Sequence, residues 1–77
     1  MNRQTSKRIN TINKIRAVLR DAQDRTVQVN YKRLIAIICL DENVSERKAK
    51  EYVNLLINSG ECVREDGLIF LNKEISN

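Results

Sequence analysis

Asp66 and Gly67 stand between two short segments, residues 61–65 and 68–72, in which apolar residues recur among polar ones. This dipeptide is the strongest constraint on the fold, because a two-residue type I′ turn needs positive φ at both central positions and Asp-Gly favours it. The sequence therefore predicts a β-hairpin over residues 61–72. A two-residue loop also sets the register, which pairs Cys62 with Leu71, Val63 with Phe70, Arg64 with Ile69 and Glu65 with Leu68.

Two helices are predicted in the first half of the chain. From Ser6 to Asp24 apolar residues recur at intervals of three and four, which indicates an amphipathic helix over residues 6–24, capped by Thr5 or Ser6. Residues 1–5 are expected to be flexible. Asn30 caps a second helix over residues 30–40 that is apolar nearly all round and hence the centre of the core, although an isolated strand would also explain this run.

A third helix is predicted over residues 45–59, with Ser45 as its cap and Gly60 as its stop. Its inward stripe is apolar and its outward face is polar. The inward residues are Ala49, Tyr52, Val53, Leu56 and Ile57. Between the first two helices, Thr26 to Val29 alternate polar and apolar residues, which predicts a very short strand. The fold class is therefore α+β, in a single domain over residues 1–77.

Composition argues against catalysis and metal chemistry. The 77 residues include no histidine and two cysteines, too few soft ligands for a zinc site, and no Gly-rich phosphate loop. We therefore expect no enzymatic activity, no cofactor and no small-molecule ligand. Cys39 and Cys62 each lie in an apolar segment and are expected to stay unbridged. With no apolar run near the length of a membrane span or a signal peptide, the expected location is the cytoplasm, away from membranes.

Basic residues are concentrated at the amino terminus. The chain carries a formal net charge of +4. Residues 1–25 hold seven of the fourteen Lys and Arg residues but only two acidic ones. An excess of this kind suits a polyanionic partner. Lys7 and Arg8 could form an arm that neutralises phosphates, or could belong to a frayed, solvated end.

The order helix, short strand, helix, turn, helix, hairpin resembles the winged helix-turn-helix family over nearly the whole chain. The stretch that carries the resemblance runs from Asn43 to Gly60 and is followed by the Asp66-Gly67 hairpin. It has a small apolar residue and a capping Ser, a polar first turn, an inward Ala and Val, a Leu pair, and then Gly. The resemblance implies that the third helix is a recognition helix in the DNA major groove and that the hairpin is the wing.

The outward face of the third helix supplies the candidate DNA contacts. Arg can bind guanine with two hydrogen bonds, Asn can bind adenine in the same way, and Lys mostly contacts phosphate. Arg47 and Asn54 are therefore the candidate base readers. The full set on this helix is Ser45, Arg47, Lys48, Lys50, Glu51 and Asn54. The wing tip, Glu65-Asp66, departs from the family because it is acidic where Lys or Arg is usual, so this tip is expected to stay clear of the DNA.

The hairpin has apolar residues on both faces, and alternate residues of a strand point to opposite sides. Cys62, Ile69 and Leu71 are expected to face the helices. Val63, Leu68 and Phe70 then form an outer set, which either the first helix or a second copy of the chain covers. These residues are the candidate interface of a homodimer that binds two DNA half-sites. The alternative is a winged-helix adaptor that binds proteins and reads no DNA.

Overall fold

The computed structural model describes the backbone from Arg3 to Asn72 and the side chains from Lys7 to Asn72. The elements in chain order are α1 (Arg3–Asp24), β1 (Val29–Asn30), α2 (Tyr31–Glu42), α3 (Glu46–Asn58), β2 (Cys62–Glu65) and β3 (Leu68–Leu71). The three strands form one antiparallel sheet in the order β1-β3-β2. The predicted α+β class is confirmed, with three helices and one small sheet in this part of the chain.

α1 differs from the prediction at its amino end. The helix begins at Arg3, so Thr5 and Ser6 lie inside it and do not cap it. Residues 3–5, which were expected to be flexible, are helical, and residues 1–2 lie outside the described part of the chain. The sequence pattern missed this start because the first turn of the helix contains no apolar residue to continue the stripe.

The carboxyl end of α1 explains why the predicted strand over residues 26–29 is mostly absent. Thr26 adopts the left-handed conformation with φ of 58°. The N–H of Thr26 donates to Gln23 O at 3.1 Å, and the N–H of Val27 donates to Ala22 O at 2.8 Å. This pair of bonds is a Schellman motif, which usually places Gly at the left-handed position. The strand β1 begins only at Val29.

α2 has the predicted cap and a later end. The Asn30 side chain accepts a hydrogen bond from the N–H of Arg33 at 3.2 Å. The helix continues to Glu42 and ends at Asn43, which has φ of 52°. Leu40 is 83% exposed, so the expectation that α2 is buried nearly all round is wrong on that side. The buried stripe consists of Tyr31, Leu34, Ile35 and Ile38.

α3 and the hairpin follow the prediction closely. The Ser45 side chain accepts a hydrogen bond from the N–H of Lys48 at 3.1 Å, and the helix stops just before Gly60. Asp66 and Gly67 have φ of 53° and 77°, as a type I′ turn requires. All four predicted cross-strand pairs are observed. The register of the hairpin is therefore confirmed.

The core lies between the three helices and the inner face of the sheet. Ile15 and Leu19 of α1 meet the buried stripes of α2 and α3 there. The sheet contributes Cys62 and Ile69, and Leu71 packs at the margin. Both cysteines are free thiols. Between residues 3 and 72, no helix is long and apolar enough to cross a membrane.

Candidate functional site

The outward face of α3 forms one open concavity of about 850 Å³. All six residues that the sequence suggested on this helix line it. Two further residues, Leu55 and Asn58, complete the lining. Neither residue was among the candidate DNA contacts predicted from the sequence. Leu55 is 37% exposed, so the surface is polar with one apolar contact point.

Two of the three basic residues on this face form ion pairs within the helix. Lys48 Nζ lies 3.3 Å from Glu51 Oε2, and Lys50 Nζ lies 3.1 Å from Glu46 Oε2. All four side chains are well exposed, so water weakens these pairs and they dissociate at little cost. Lys48 also lies over the Tyr52 ring, 6.0 Å from its centroid.

Arg47 and Asn54 differ from these lysines. Within residues 7–72, Arg47 makes no ion pair and the Asn54 side chain makes no hydrogen bond. Both are exposed and line the concavity. Their donors and acceptors are therefore free to bind an external group without breaking an internal contact.

Ser45 lies at the amino end of the same surface. Its side-chain oxygen already accepts the N–H of Lys48 as a helix cap. The hydroxyl hydrogen remains a possible donor, since a serine hydroxyl both donates and accepts. The first N–H groups of a helix also lack intrahelical partners. This end of α3 can therefore donate hydrogen bonds to an anion, although Glu46 in the first turn reduces its positive potential.

Lys7 lies beside the turn that precedes α3. Its Nζ donates to Asn43 O at 3.1 Å and so satisfies a carbonyl at the carboxyl end of α2. Lys7 thus has a structural contact that the sequence did not indicate. Arg8 is exposed and makes no ion pair within the described residues. The start of α1 therefore brings positive charge close to the amino end of α3.

A second basic region links the hairpin to α2. The Arg64 guanidinium carbon lies 3.8 Å from the centroid of the Tyr31 ring. The N–H of Tyr31 donates to Gly67 O at 2.8 Å, which holds the hairpin turn against the first residue of α2. Lys32 lines a small groove of about 210 Å³ beside Tyr31, together with the ion pair of Lys50 and Glu46. None of Tyr31, Lys32 and Arg64 was predicted from the sequence to contact DNA.

The Arg16 side chain forms hydrogen bonds with two other side chains of the protein. Its Nε and Nη2 donate to the two carboxylate oxygens of Glu61 at 2.7 and 3.0 Å, and its Nη1 donates to Asn13 Oδ1 at 3.1 Å. The hydrogen bond with Glu61 raises the pKa of Arg16. Next to Glu61, burial raises the pKa of the Cys62 thiol from 9.0 to about 11. This ion pair joins α1 to the base of the hairpin.

The acidic side chains at the hairpin tip and the apolar side chains on its outer face take no part in these side-chain contacts. Glu65 and Asp66 are exposed, and neither forms an ion pair within the described residues. Phe70 is 44% exposed, as expected for an outer residue. Val63 and Leu68 share its face but are half-buried. Of the three candidate interface residues, Phe70 therefore offers the most apolar surface.

Comparisons with protein-family models, with curated proteins and with solved structures gave no significant match. Within residues 3–72, no group of three or more Cys, Asp and Glu side chains is placed to hold a metal ion. The feature that remains is an outward helix face with free Arg and Asn side chains, flanked by exposed basic residues.

Proposed function

We propose that this chain is a winged helix-turn-helix domain that binds double-stranded DNA sequence-specifically as a small transcription regulator. In this assignment α2 and α3 form the helix-turn-helix and the hairpin of β2 and β3 is the wing. The element order and the strand order β1-β3-β2 support it. The role is one of binding, without catalysis. Free cysteines fit a reducing compartment, so we place the protein in the cytoplasm.

The observation that carries the proposal is that two side chains lining the α3 concavity, Arg47 and Asn54, have no ion pair or side-chain hydrogen bond within residues 7–72. They are seven residues apart in the sequence, which is about 10 Å along a helix axis. Successive bases of a DNA strand are about 3.4 Å apart, so the two side chains can reach bases about three steps apart. Arg47 would bind guanine and Asn54 adenine through the hydrogen-bonding edges in the major groove.

The ion pairs on the same face would rearrange on binding. Lys48 and Lys50 would leave Glu51 and Glu46 for phosphates, because each exposed pair holds them by no more than about 1 kcal/mol. Glu51 would then be free to accept a hydrogen bond from cytosine N4. Leu55 offers an apolar contact for a thymine methyl group. The face can thus supply both phosphate contacts and base contacts.

Phosphate contacts outside the groove would come from two sides. Arg8 and, through its remaining donors, Lys7 lie at the start of α1, while Lys32 and Arg64 lie where the wing meets α2. Such contacts position a protein on the duplex without reading sequence. The exposed acidic tip, Glu65-Asp66, would be repelled by phosphates. In this proposal Arg64, where the hairpin meets α2, approaches the DNA, and the side chains of Glu65 and Asp66 do not.

The test is a titration of labelled duplex pools at two salt concentrations, followed by selection of a preferred site. Arg47→Ala should cost about 1 to 3 kcal/mol on the selected site and relax preference at one base step. Lys7→Ala and Arg8→Ala should weaken binding to all sequences alike. Arg20→Ala is the charge-matched control, because Arg20 is exposed on α1 and lines no part of the concavity.

Two results would count against the proposal. Binding that does not weaken as salt rises would exclude phosphate contacts as its basis. An equal loss on selected and random duplex for Arg47→Ala would remove Arg47 as a base reader.

The second candidate is a protein-binding adaptor with the same fold. The observations that favour it are the acidic wing tip and the partly exposed Leu55 in the α3 concavity. An adaptor would show almost no salt-sensitive binding to duplex, so the same titration separates the two functions.

We also propose that the binding unit is a homodimer. DNA-binding domains of this type commonly act in pairs, with half-sites about one helical turn apart. The exposed Phe70 on the hairpin supports a self-association surface on that side of the molecule.

A further inference from the structure

A groove of about 510 Å³ lies between the carboxyl half of α1 and strand β3, on the side of the sheet away from β2. Its apolar lining includes Val27 and Phe70, which are 57% and 44% exposed. The polar side chains among its lining residues in the described part of the chain are the amides of Gln23, Gln28 and Asn72. Among the side chains of residues 7–72, none that lines the groove is charged.

The backbone of β3 contributes to this groove in an alternating way. The C=O of Gly67, just before β3, accepts a hydrogen bond from the N–H of Tyr31. Ile69 of β3 pairs with Val29. The backbone groups of Gly67 and Ile69 therefore point towards β1. On the other side, the N–H of Asn72 donates to Glu61 O. Because the backbone groups of a strand alternate between its two edges, the N–H and C=O of Leu71 point away from β2 and into the groove.

Leu71 has no partner on this edge within the described residues. The ladder between β1 and β3 ends at the pair of Val29 with Ile69. The residue that would pair with Leu71 next is Val27, but its N–H is bonded to Ala22 O in the α1 terminus. The left-handed Thr26 thus draws the chain away from β3 and leaves the edge open at Leu71.

We propose that a second copy of this chain pairs with the open edge of β3 at Leu71. About a two-fold axis, Leu71 of each copy would donate its N–H to the C=O of the other, as in a hydrogen-bonded antiparallel pair. Phe70 would lie opposite Asn72 of the second copy. The pairing stops at Ile69, where Val29 already occupies the edge.

A second copy fits this edge better than a different partner for two reasons. An N–H and a C=O on one residue are self-complementary under two-fold symmetry, so no other sequence is needed. The uncharged lining also lets two identical surfaces meet without repulsion between like charges. Exposed apolar area on Val27 and Phe70 would be buried at the same time. This contact refines the proposed homodimer, but it does not depend on DNA binding.

The decisive experiment replaces the backbone N–H hydrogen of Leu71 with a methyl group. Cys62 allows native chemical ligation of residues 1–61 to a synthetic peptide of residues 62–77, in which Leu71 carries an N-methyl group. Sedimentation without DNA should show the unmodified ligated chain dimerising in the micromolar range. N-methyl-Leu71 should weaken this association by about tenfold or more, since each copy loses a donor. Helical circular dichroism should not change, because that N–H has no partner within residues 3–72 of one copy.

The matched control carries the N-methyl group on Arg64 instead. Its N–H points away from β3, at the opposite edge of the sheet. This chain should dimerise like the unmodified one. If the N-methyl-Arg64 chain were monomeric and the N-methyl-Leu71 chain still dimerised, the contact would lie on β2 and the proposal would be overturned. A parent chain that stays monomeric at high micromolar concentration would also overturn it.

A recombinant pair tests the groove if N-methylation unfolds the chain. Val27→Glu puts like charges into both copies of the groove and should separate them. Leu40→Glu makes the same change at a side chain that is 83% exposed on α2 and lies outside the groove, so it should leave the dimer intact. Equal dimerisation of the two variants would refute the contact. DNA binding to a single half-site is measured separately and should persist in Val27→Glu if the proposed function holds.

Discussion

The guanidinium of Arg64 lies over the Tyr31 ring at 3.8 Å from its centroid, which joins a strand of the hairpin to the first residue of α2. Tyr31 is buried, so its ring is fixed by the core while the guanidinium covers it from outside. A cation over an aromatic face is attracted by the charge distribution of the ring. The stack therefore orients Arg64 and helps to hold the hairpin in place.

We expect this stack to contribute about 0.5 to 1 kcal/mol to stability, the usual range for an exposed cation–π contact. A double-mutant cycle of Arg64→Ala and Tyr31→Leu should give a coupling energy in that range, measured by urea denaturation. Tyr31→Phe should keep the coupling, because it keeps the ring. Additive effects of the two substitutions would show that the stack adds nothing.

Leu34 and Ile38 are fully buried on the inward stripe of α2. Leu34→Ala or Ile38→Ala should cost about 2 to 5 kcal/mol, since each leaves a cavity among residues that cannot fully collapse. In a domain of this size that loss approaches the whole stability. Leu40→Ala, on the exposed side of the same helix, should change stability by less than about 0.5 kcal/mol. A denaturation midpoint for Leu34→Ala equal to that of the parent would be inconsistent with this packing.

Thr26→Gly should stabilise the protein. Thr26 holds a left-handed conformation that costs a residue with a Cβ about 1 to 2 kcal/mol. Glycine avoids that cost but loses about 0.5 to 1 kcal/mol in backbone entropy. The expected net gain is about 0.5 to 1 kcal/mol, measured as a higher urea midpoint. Thr26→Ala keeps the Cβ and should bring no such gain, so equal gains in both variants would assign the effect to another cause.

Burial of the Cys62 thiol should make the free energy of unfolding decrease at alkaline pH. Its pKa is raised from 9.0 to about 11 in the folded state by burial. Below pH 9.0 the thiol is protonated in both the folded and the unfolded protein, so it does not change the free energy of unfolding. Between pH 9.0 and about 11 the unfolded state loses the proton first, which favours unfolding. Across this window the loss should reach about 2 to 3 kcal/mol.

The measurement compares the parent with Cys62→Ala, whose free energy of unfolding should lack this alkaline decrease. Parallel curves for the two proteins would refute the shift. Thiol labelling gives an independent check, because Cys39 is only partly buried and Cys62 is fully buried. Cys39 should react in the folded protein and Cys62 only on unfolding.

The parts of the fold that the sequence predicted are those set by local chemistry. Asn30 and Ser45 have short side chains that cap helices, and Asp66-Gly67 fixes the turn and thereby the register of four residue pairs. Thr26 was misread because a β-branched residue favours a strand, whereas here the hydrogen bonds that end α1 impose a left-handed conformation on it. Leu40 was misread because an apolar run does not show which residues on a helix face solvent.

The candidate site was predictable only where it lies on one element. The spacing along α3 placed six residues on one face, and the structure brings all six into one concavity. The partners of Lys7 and Arg64 were not predictable in this way. Asn43 is 36 residues from Lys7, and Tyr31 is also distant in sequence from Arg64, so these contacts depend on how the helices and sheet pack.

The hairpin is held at both ends. Its base is joined to α1 by the two hydrogen bonds of Arg16 with Glu61, and its turn is joined to α2 by the N–H of Tyr31. A segment fixed at two points moves with the body of the domain and has little freedom of its own to lose. Association through the hairpin or the adjacent α3 face would therefore carry a small entropic cost of ordering, and affinity would depend on the contacts themselves.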